Sequence, residues 1–311
     1  MKIIYLSGPT KLSLKRTCVA IGIFDGVHRG HQYLIRQMLE RAGRLKLRPL
    51  VITFFPHPAH VLSSGNPLAY ITSLKDRLRW LERLGVEAFL VVKFNKSFAR
   101  MPPQQFISDI LIKKLDARAV FVGANFRFGK DRSGGVELFE RLAGPYGYEM
   151  HAVAPLKQGG EAISSTRIRR SIAEGKLAQA GRLLGRPVSA GGRVVQGSRR
   201  GKKLGFPTAN VAYEADLLPP RGVYAARVHL GKKEYQAAAN IGRRPSFEGN
   251  AQHLILEVHI FDFSGNIYGR HVEVEFLKKI RNEKKFPSPQ HLIRQIQKDE
   301  AFARKYFKAL R

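Results

Sequence analysis

The chain has 311 residues and a formal net charge of +30, with 54 Lys and Arg side chains against 24 Asp and Glu. This length exceeds what one small core supports and suits two domains. The hydrophobic fraction of 44% and the charged fraction of 25% are ordinary for a folded protein, so the charge does not indicate disorder. The single cysteine excludes a disulfide framework and a cysteine-rich zinc site, and it fits a reducing, cytoplasmic location.

The positive charge is spread over the whole chain. Residues 1–185 carry 30 basic and 13 acidic side chains (net +17), and residues 186–311 carry 24 and 11 (net +13). Such a dispersed excess is typical of a solvated surface, so no specific nucleic-acid partner is expected, whereas phosphorylated small molecules are favoured. The N-terminal apolar run is too short for a signal peptide, and no run approaches the roughly 20 residues that span a bilayer, so no membrane association is expected.

In the first half of the chain, short apolar runs alternate with helix-like stretches. Strands are predicted at residues 17–22, 50–55, 89–94, 119–123 and 149–154. Helices are predicted at residues 33–47, 73–84, 104–115, 136–143, 164–173 and 176–184. This alternation predicts βαβ units around a parallel sheet, and therefore an open α/β domain.

After residue 187 the predicted elements are short runs rich in β-branched and aromatic residues, at 193–195, 222–230, 234–241, 254–263 and 271–276. Turn signals at residues 231–233 and 264–266 separate them, which predicts an antiparallel barrel or sandwich. Ser288 is predicted to cap a C-terminal amphipathic helix, with an inward face of Leu292, Ile293, Ile296, Phe302, Tyr306 and Phe307. The change of pattern predicts two domains, residues 1–185 and 186–311.

A glycine-rich turn with two histidines, residues 22–31 (GIFDGVHRGH), follows the strand predicted at 17–22. Residues three apart share a face of a helix, and the positive helix end favours an anion. Imidazoles can also donate hydrogen bonds to charge that develops on a phosphorus centre. An isolated H-x-G-H would more simply be two solvated polar residues, but the strand–turn–helix context favours a triphosphate site. The candidates are His28 and His31 for catalysis and Gly22, Phe24, Gly26 and Gly30 for phosphate binding.

A second phosphate-type element is predicted at residues 163–169 (ISSTRIR). Hydroxyls at a helix start can cap the helix or hold a phosphate, and an arginine offers a bidentate fork. Taken alone, the stretch is typical of an ordinary helix cap; together with the histidine turn it favours phosphate binding. Its candidates are Ser164, Ser165 and Thr166 for ATP or phosphate and Arg167 for catalysis.

These residues resemble the nucleotidyltransferase superfamily of H-x-G-H type. The longer match is to the FMN adenylyltransferase module of bacterial bifunctional riboflavin kinases/FAD synthetases, supported by residues 53–58 (TFFPHP), 71–73 (ITS) and 122–129 (VGANFRFG). The resemblance implies a Rossmann-like α/β nucleotidyltransferase domain with Asn125 near the flavin ring. It also implies that the FMN phosphate attacks the α-phosphorus of ATP while His28, His31 and Arg167 stabilise the charge, giving FAD and pyrophosphate.

The second half opens with a glycine-rich basic loop, residues 192–210 (GRVVQGSRRGKKLGFPTAN). Glycines at 197, 201 and 205 make it flexible, and Thr208 and Asn210 close it. Such a loop suits a Mg²⁺-nucleotide because Mg²⁺ takes oxygen ligands, although it is not a Walker motif. The alternatives are a basic surface hairpin or an RNA contact. Gly201 and Gly205 are the ATP-binding candidates.

This loop resembles the nucleotide loop of riboflavin kinases, and residues 207–210 (PTAN) are its most specific part. The resemblance implies that Thr208 and Asn210 hold Mg²⁺ and phosphate. Glu257 lies in an apolar predicted strand, where a carboxylate is costly unless it has a role, has a partner or points outward. The order of residues 240–247, Glu257 and 261–269 follows the same family. It implies that Glu257 is the catalytic base and that the second domain is an antiparallel β-barrel with a C-terminal helix.

The resemblance spans about residues 15–308 and implies a bifunctional enzyme of flavin cofactor synthesis. Its substrates would be riboflavin, FMN and ATP, its products FMN and FAD, and its metal Mg²⁺. One alternative is a single-activity flavin kinase or adenylyltransferase with one decayed domain. Another is a basic RNA-binding protein, although the sequence has no aromatic RNA-binding motif. A homo-oligomer is left open.

Overall fold

The structure is a computed structural model that describes residues 2–6, 14–63, 65, 68–197, 201, 204–243 and 254–310. The chain packs into two compact units, Met1–Leu68 with Leu74–Ser164, and Ala69–Ser73 with Ser165–Arg311. Residues 69–73 belong to the second unit because its Asp216 accepts from the Tyr70 backbone N–H at 3.0 Å, and the backbone N–H of Leu217 donates to the Tyr70 carbonyl at 3.2 Å. Residue 185, where the sequence predicts the boundary between the two domains, lies inside the second packing unit. The boundary between the two activities stays a prediction.

The first unit is built on a six-stranded parallel sheet in the order β1-β4-β3-β2-β5-β6. The strands are β1 (Lys2–Leu6), β2 (Thr17–Ile21), β3 (Arg48–Phe55), β4 (Ala88–Lys93), β5 (Ala117–Gly123) and β6 (Glu149–Val153). All five residues of β2 are buried, as expected for a strand covered on both faces by helices. The parallel sheet confirms the prediction. Strand β1 was not predicted, because it is a short edge strand of mostly exposed or half-buried residues.

Helices pack on both faces of this sheet. The α-helices of this unit are α1 (Arg29–Leu45), α2 (Pro58–Leu62), α3 (Leu74–Arg83), α4 (Lys96–Ala99), α5 (Pro103–Gln105) and α6 (Val136–Tyr146), and a π-helix spans Phe106–Lys114. A short hairpin of β7 (Lys157–Gln158) and β8 (Glu161–Ala162) follows the sheet in the chain. Helices α1 and α3 share one apolar core with the sheet, and the π-helix and α6 share the other. The helix predicted at 104–115 is therefore mostly π-helical. Helix α1 starts four residues before its predicted start.

The second unit contains a closed antiparallel barrel in the order β10-β13-β12-β11-β14-β9. Its strands are β9 (Val188–Val195), β10 (Ala209–Tyr213), β11 (Gly222–Leu230), β12 (Lys233–Arg243), β13 (Leu254–Ile260) and β14 (His271–Arg281). Among the described elements of this unit, the helices are α7 (Ser165–Ala173), α8 (Leu177–Leu184) and α9 (Pro289–Ala309). The predicted barrel and C-terminal helix are confirmed. Strand β10 was not predicted; its first two residues, 209 and 210, lie in the predicted basic loop.

Helix α9 covers the outside of the barrel. Ala303 and Phe307 pack against Ala225 of β11 and Phe261. The prediction that Phe302 points inward is wrong: 43% of its surface is exposed, because it lies one residue, or about 100° of helical turn, from Ala303. The position one turn before Ala303 is instead Asp299, which is buried and binds the guanidinium of Arg281 with both oxygens, at 2.9 and 3.0 Å from Nε.

Within the described part of the chain, no helix is both long and apolar enough to cross a membrane.

Candidate active sites

The predicted histidine turn lies where the order of the parallel sheet reverses. The chain runs from β2 to β3 and β4 on one side, and β5 pairs with β2 on the other side. Loops at the carboxyl ends of the two strands beside such a reversal diverge and leave a crevice, which is where open α/β sheets bind ligands. The turn after β2 and the loop after β5 therefore lie on either side of this crevice.

The turn between β2 and α1 has a strained backbone. Phe24, Gly26 and Val27 have φ angles of +55°, +80° and +41°. Glycine adopts this region freely, but a β-branched valine there is a genuine outlier. Each strained non-glycine residue costs on the order of 1–3 kcal/mol and persists only where its surroundings hold it, which is a common feature of functional sites.

His28 and His31 form a stacked pair at the start of α1. Their ring centroids are 3.5 Å apart with an interplanar angle of 17°. His28 is the N-cap residue, and its Nδ1 accepts from the backbone N–H of His31 at 3.3 Å. When neutral, His28 therefore carries its proton on Nε2. The prediction that the two histidines share a face is confirmed, and α1 begins early because His28 caps it.

His31 stays uncharged in this environment. Its pKa lies well below the usual 6.5, because burial disfavours the charged form and His28 and Arg77 add positive charge nearby. Its Nδ1 is buried and has no hydrogen-bond partner among the described residues. A neutral imidazole donates a hydrogen bond to an anion without carrying charge itself, so His31 suits the role of a donor to phosphate oxygens.

The other candidate residues of the turn support the histidine pair. The Phe24 side chain is 1% exposed and meets the His31 ring edge-on at 5.2 Å, so it contacts His31 directly. A Cβ added to Gly22 would lie 3.0 Å from the Phe24 ring. A Cβ added to Gly30 would lie 3.2 Å from the His28 ring and 3.7 Å from the carbonyl of Ile163. Gly30 therefore leaves room for His28, and the chain just before Ser164 reaches this turn.

The remaining residues of the second phosphate element belong to the other unit. Ser165, Thr166 and Arg167 form the first turn of α7, where Thr166 is exposed and the other two are half-buried. Their grouping with the histidine pair stays a prediction.

Asn125 is exposed in the turn after β5, beside a half-buried Phe126. The Phe126 and Phe128 rings stack 5.6 Å apart, and Phe98 and Phe94 of the same apolar cluster are partly buried. An amide beside partly covered aromatic rings suits a ligand with an apolar face and polar edges. Sequence reasoning named Asn125 but missed these rings, which come together only through the sheet.

In the second unit, three strands bring oxygen-bearing side chains into one row. Asn210 of β10 lies directly opposite Glu257 of β13, and Glu257 lies opposite Asn240 of β12. Directly opposed residues have Cβ atoms about 4.5–5.5 Å apart and share a face of the sheet. Ala238 of β12 packs against the apolar cluster between helix α9 and the outside of the barrel. Asn240 lies two residues further along the same strand and therefore on the same face, so the row lies on the outer face of the barrel. All three residues are half-buried.

Thr208 joins this row from the loop. It is exposed, and it precedes Asn210 by two residues, which places it on the same side of the strand. A Cβ on Gly201 would lie 3.2 Å from the Thr208 hydroxyl, and a Cβ on Gly197 would lie 2.1 Å from the Asn210 amide. The loop glycines therefore let the backbone approach these two side chains. Gly205 has a φ of +86°, which favours glycine there, while residues 198–200 and 202–203 of the loop lie outside the described residues.

A groove of about 520 Å³ opens beside Asn210, between β9, β10 and β13. Its polar lining residues are Gln196, Tyr213, Glu214 and Asp216. This volume is in the range of small-molecule sites. The sequence prediction named Asn210 and Glu257 but missed Asn240 as their neighbour, because the row depends on the register of three strands.

The two halves of the chain match two family models. Residues 10–167 match the model described as FAD synthetase, and residues 184–307 match the model described as riboflavin kinase. Relatives named bifunctional riboflavin kinase/FMN adenylyltransferase include one from Escherichia coli (strain K12), 42% identical over 93% of both chains. Another, from Bacillus subtilis (strain 168), is 38% identical over the whole of both chains.

A solved structure described as a macrolide-efflux protein from Streptococcus pneumoniae superimposes with a TM-score of 0.86 and 33% sequence identity. The match covers 98% of this chain and 99% of that chain, so the two share a fold over their full length. The two matched ranges contain the residues of the two sites described above, with His28 and His31 in the first and Asn210, Asn240 and Glu257 in the second. The chain therefore belongs to the family of bifunctional riboflavin kinases/FMN adenylyltransferases.

Proposed function

We propose that the row on the barrel and the histidine pair carry out, on one chain, the two reactions of flavin cofactor synthesis. The chain uses ATP to phosphorylate riboflavin to FMN, and it adenylylates FMN to FAD with release of pyrophosphate. The observation that carries the assignment is that each unit brings together its own set of functional side chains. The first unit holds the His28–His31 pair, and the second unit holds the row of Asn210, Glu257 and Asn240.

In the kinase reaction, the 5′-hydroxyl of riboflavin attacks the γ-phosphorus of ATP, and ADP leaves. Glu257 accepts the hydroxyl proton, because it is the carboxylate in the centre of the row. Asn210 and Thr208 lie on the same face and hold the phosphate end of the nucleotide, with Gly201 and Gly205 allowing the loop to approach it.

The donor set of this site fits Mg²⁺. Thr208 and Asn210 present hydroxyl and amide oxygens on the same side of the strand, and Mg²⁺ takes oxygen ligands while keeping several waters. The described residues contain no group of three or more His, Cys, Asp or Glu placed to hold a metal ion, which agrees with a cation held by few protein ligands and by substrate phosphates. When bound, Mg²⁺ would neutralise phosphate charge during transfer.

In the adenylyl transfer, a phosphate oxygen of FMN attacks the α-phosphorus of a second ATP. The bond from the α-phosphorus to the bridging oxygen breaks, and pyrophosphate leaves. Negative charge grows on the phosphoryl oxygens in the transition state, and the N–H groups of His28 and His31 at the positive end of α1 stabilise it. The reaction needs no protein nucleophile, so positioning and charge stabilisation suffice. Arg167 adds a guanidinium to the phosphates, and Asn125 binds the flavin ring edge.

Two variants of the full chain test the assignment, with riboflavin or FMN supplied together with Mg²⁺-ATP and the flavin products separated by chromatography. His31→Ala should abolish FAD formation from FMN and leave FMN formation within about twofold, because the two sites are separate. Glu257→Gln should do the reverse. His291→Ala and Glu234→Gln are matched controls, since both residues are exposed and lie outside the two sites. Loss of both activities by either variant in a folded chain would contradict the assignment.

A further inference from the structure

We infer that Arg77 and Asp25 form a buried positioning pair that holds the histidine turn in its working conformation for adenylyl transfer. The inference rests on the proposed role of His28 and His31, and it assigns a function to two charged residues that no step above uses. Neither residue would contact substrate.

Arg77 is the largest fully buried side chain among the described residues, at 0% exposure. It comes from α3, some 50 positions after the turn in the sequence. Taking an arginine out of water is costly unless its charge is compensated and its donors are used. The compensating charge is Asp25, whose Oδ1 lies 3.6 Å from Nη2 of Arg77 and whose side chain is 2% exposed.

The guanidinium holds the turn on both sides of Phe24. Nη1 of Arg77 donates to the carbonyl of Ile23 at 3.0 Å, and Nη2 faces the carboxylate of Asp25. The Thr53 hydroxyl donates to the same Ile23 carbonyl at 3.0 Å. Phe24, fixed between these two anchors, meets the His31 ring edge-on. A shift of the anchors therefore passes directly to His31.

The turn needs such anchors because its conformation is unfavourable. Phe24 and Val27 both have positive φ angles, which only surrounding contacts can maintain. A surface ion pair could not do this, since solvent screens it and its side chains are mobile. A fully buried guanidinium that donates to the Ile23 carbonyl and lies beside the Asp25 carboxylate is neither screened by solvent nor free to move.

The same guanidinium also acts on His31 through its charge. After burial and the neighbouring His28, Arg77 is a cause of the low pKa of His31. Arg77 therefore acts both on the shape of the turn and on the neutral state of the imidazole.

The experiment measures FAD formation from FMN and ATP by the full chain carrying Arg77→Met, Arg77→Lys or Asp25→Asn. Arg79→Met is the matched control, because Arg79 lies on the same helix, is partly exposed and pairs with Asp76. Phosphorylation of riboflavin by the same preparation reports whether the second unit is folded, and thermal unfolding followed by circular dichroism reports whether the first unit, which carries Arg77 and Asp25, is folded. Arg77→Met should lower kcat for FAD formation at least 30-fold with KM for ATP within threefold, while kinase activity stays within twofold.

Arg77→Lys should recover part of the loss, since it keeps the charge but not both contacts. Asp25→Asn should lower kcat by a smaller factor than Arg77→Met, since the contact to Ile23 remains.

Several results would overturn the inference: a kcat of Arg77→Met equal to that of Arg79→Met, a loss confined to KM, or a kcat of Asp25→Asn equal to wild type. If Arg77→Met does not fold, Arg77→Lys decides, with a kcat at least tenfold below wild type supporting the inference and an unchanged kcat refuting it. His31→Ala in the same assay distinguishes a failure of the proposed site from a failure of the positioning role alone. If it retains FAD formation, the proposed site is wrong; if it loses FAD formation while Arg77→Met keeps it, only the positioning role fails.

Discussion

Replacing Gly30 by alanine should lower the rate of adenylyl transfer without a matching loss of stability in α1. Gly30 is the second residue of the helix, where alanine is favoured over glycine by about 0.5–1 kcal/mol. The added Cβ would lie 3.2 Å from both Cε1 and Nδ1 of His28, so the His28 ring has to move by a few tenths of an ångström. The substitution therefore disturbs the stacked histidine pair, and because Nδ1 of His28 also caps α1, the displaced ring offsets the gain that alanine brings to the helix.

The expected effect on adenylyl transfer follows from that displacement. An error of about 1 Å in a positioned group can cost on the order of 100-fold in rate, so a few tenths of an ångström should cost about tenfold, or about 1.4 kcal/mol of transition-state stabilisation. The measurement is kcat/KM for FAD formation, with kinase activity and thermal unfolding followed on the same preparation. Kinase activity should not change, and the melting temperature should change little, because the weakened N-cap and the alanine gain oppose each other.

Gly43→Ala is the matched control, because Gly43 lies in the same helix and a Cβ there meets nothing within 4 Å. It should stabilise α1 by about 0.5–1 kcal/mol, because it leaves the His28 cap in place, and it should leave both activities unchanged. Equal FAD formation by Gly30→Ala and Gly43→Ala would refute the reasoning that the His28 ring position matters.

Three further predictions concern acid stability, the metal requirement and the last helix. Because the folded state holds the pKa of His31 below its unfolded value of about 6.5, unfolding takes up a proton below that pH; the stability should fall from pH 7 to pH 5, and thermal unfolding of His31→Gln should show a weaker fall. Asn210→Ala should raise the Mg²⁺ concentration for half-maximal FMN formation about tenfold without affecting the unfolding temperature by more than about 2 °C, and an unchanged Mg²⁺ dependence would remove Asn210 from the proposed ligands. Asp299→Ala leaves the guanidinium of Arg281 without its bidentate partner, so the free energy of unfolding measured in urea should fall by about 3 kcal/mol, whereas a loss under 1 kcal/mol would mean that solvent replaces the pair.

Local patterns were sufficient to predict the two architectures. Apolar runs of strand length that alternate with helical stretches predict a parallel sheet, and close-spaced β-branched runs with turn signals predict an antiparallel barrel. The pattern fails where an element carries another signal. Strand β10 contains Asn210 and follows a glycine-rich loop, so its period-2 pattern is hidden, and Phe302 looks like part of an apolar stripe although Asp299 occupies the buried position.

The parts of the sites that depend on long-range packing could not be predicted. The sequence places His28 and His31 three residues apart, and their stacking follows from the helix start. Arg77 reaches the same turn from a distant helix, and Asn240 meets Glu257 only through strand register. Nothing local to either residue indicates these contacts, so only the folded chain reveals them.

The central claim is that two independent sites on one chain act in sequence, and mixing two inactive variants tests it most directly. Neither His31→Ala nor Glu257→Gln alone should convert riboflavin to FAD with Mg²⁺-ATP. The two mixed in one reaction should do so, because the first releases FMN and the second adenylylates it. FAD formation from riboflavin by either variant alone, or none by the mixture when each variant retains its single activity, would contradict the account.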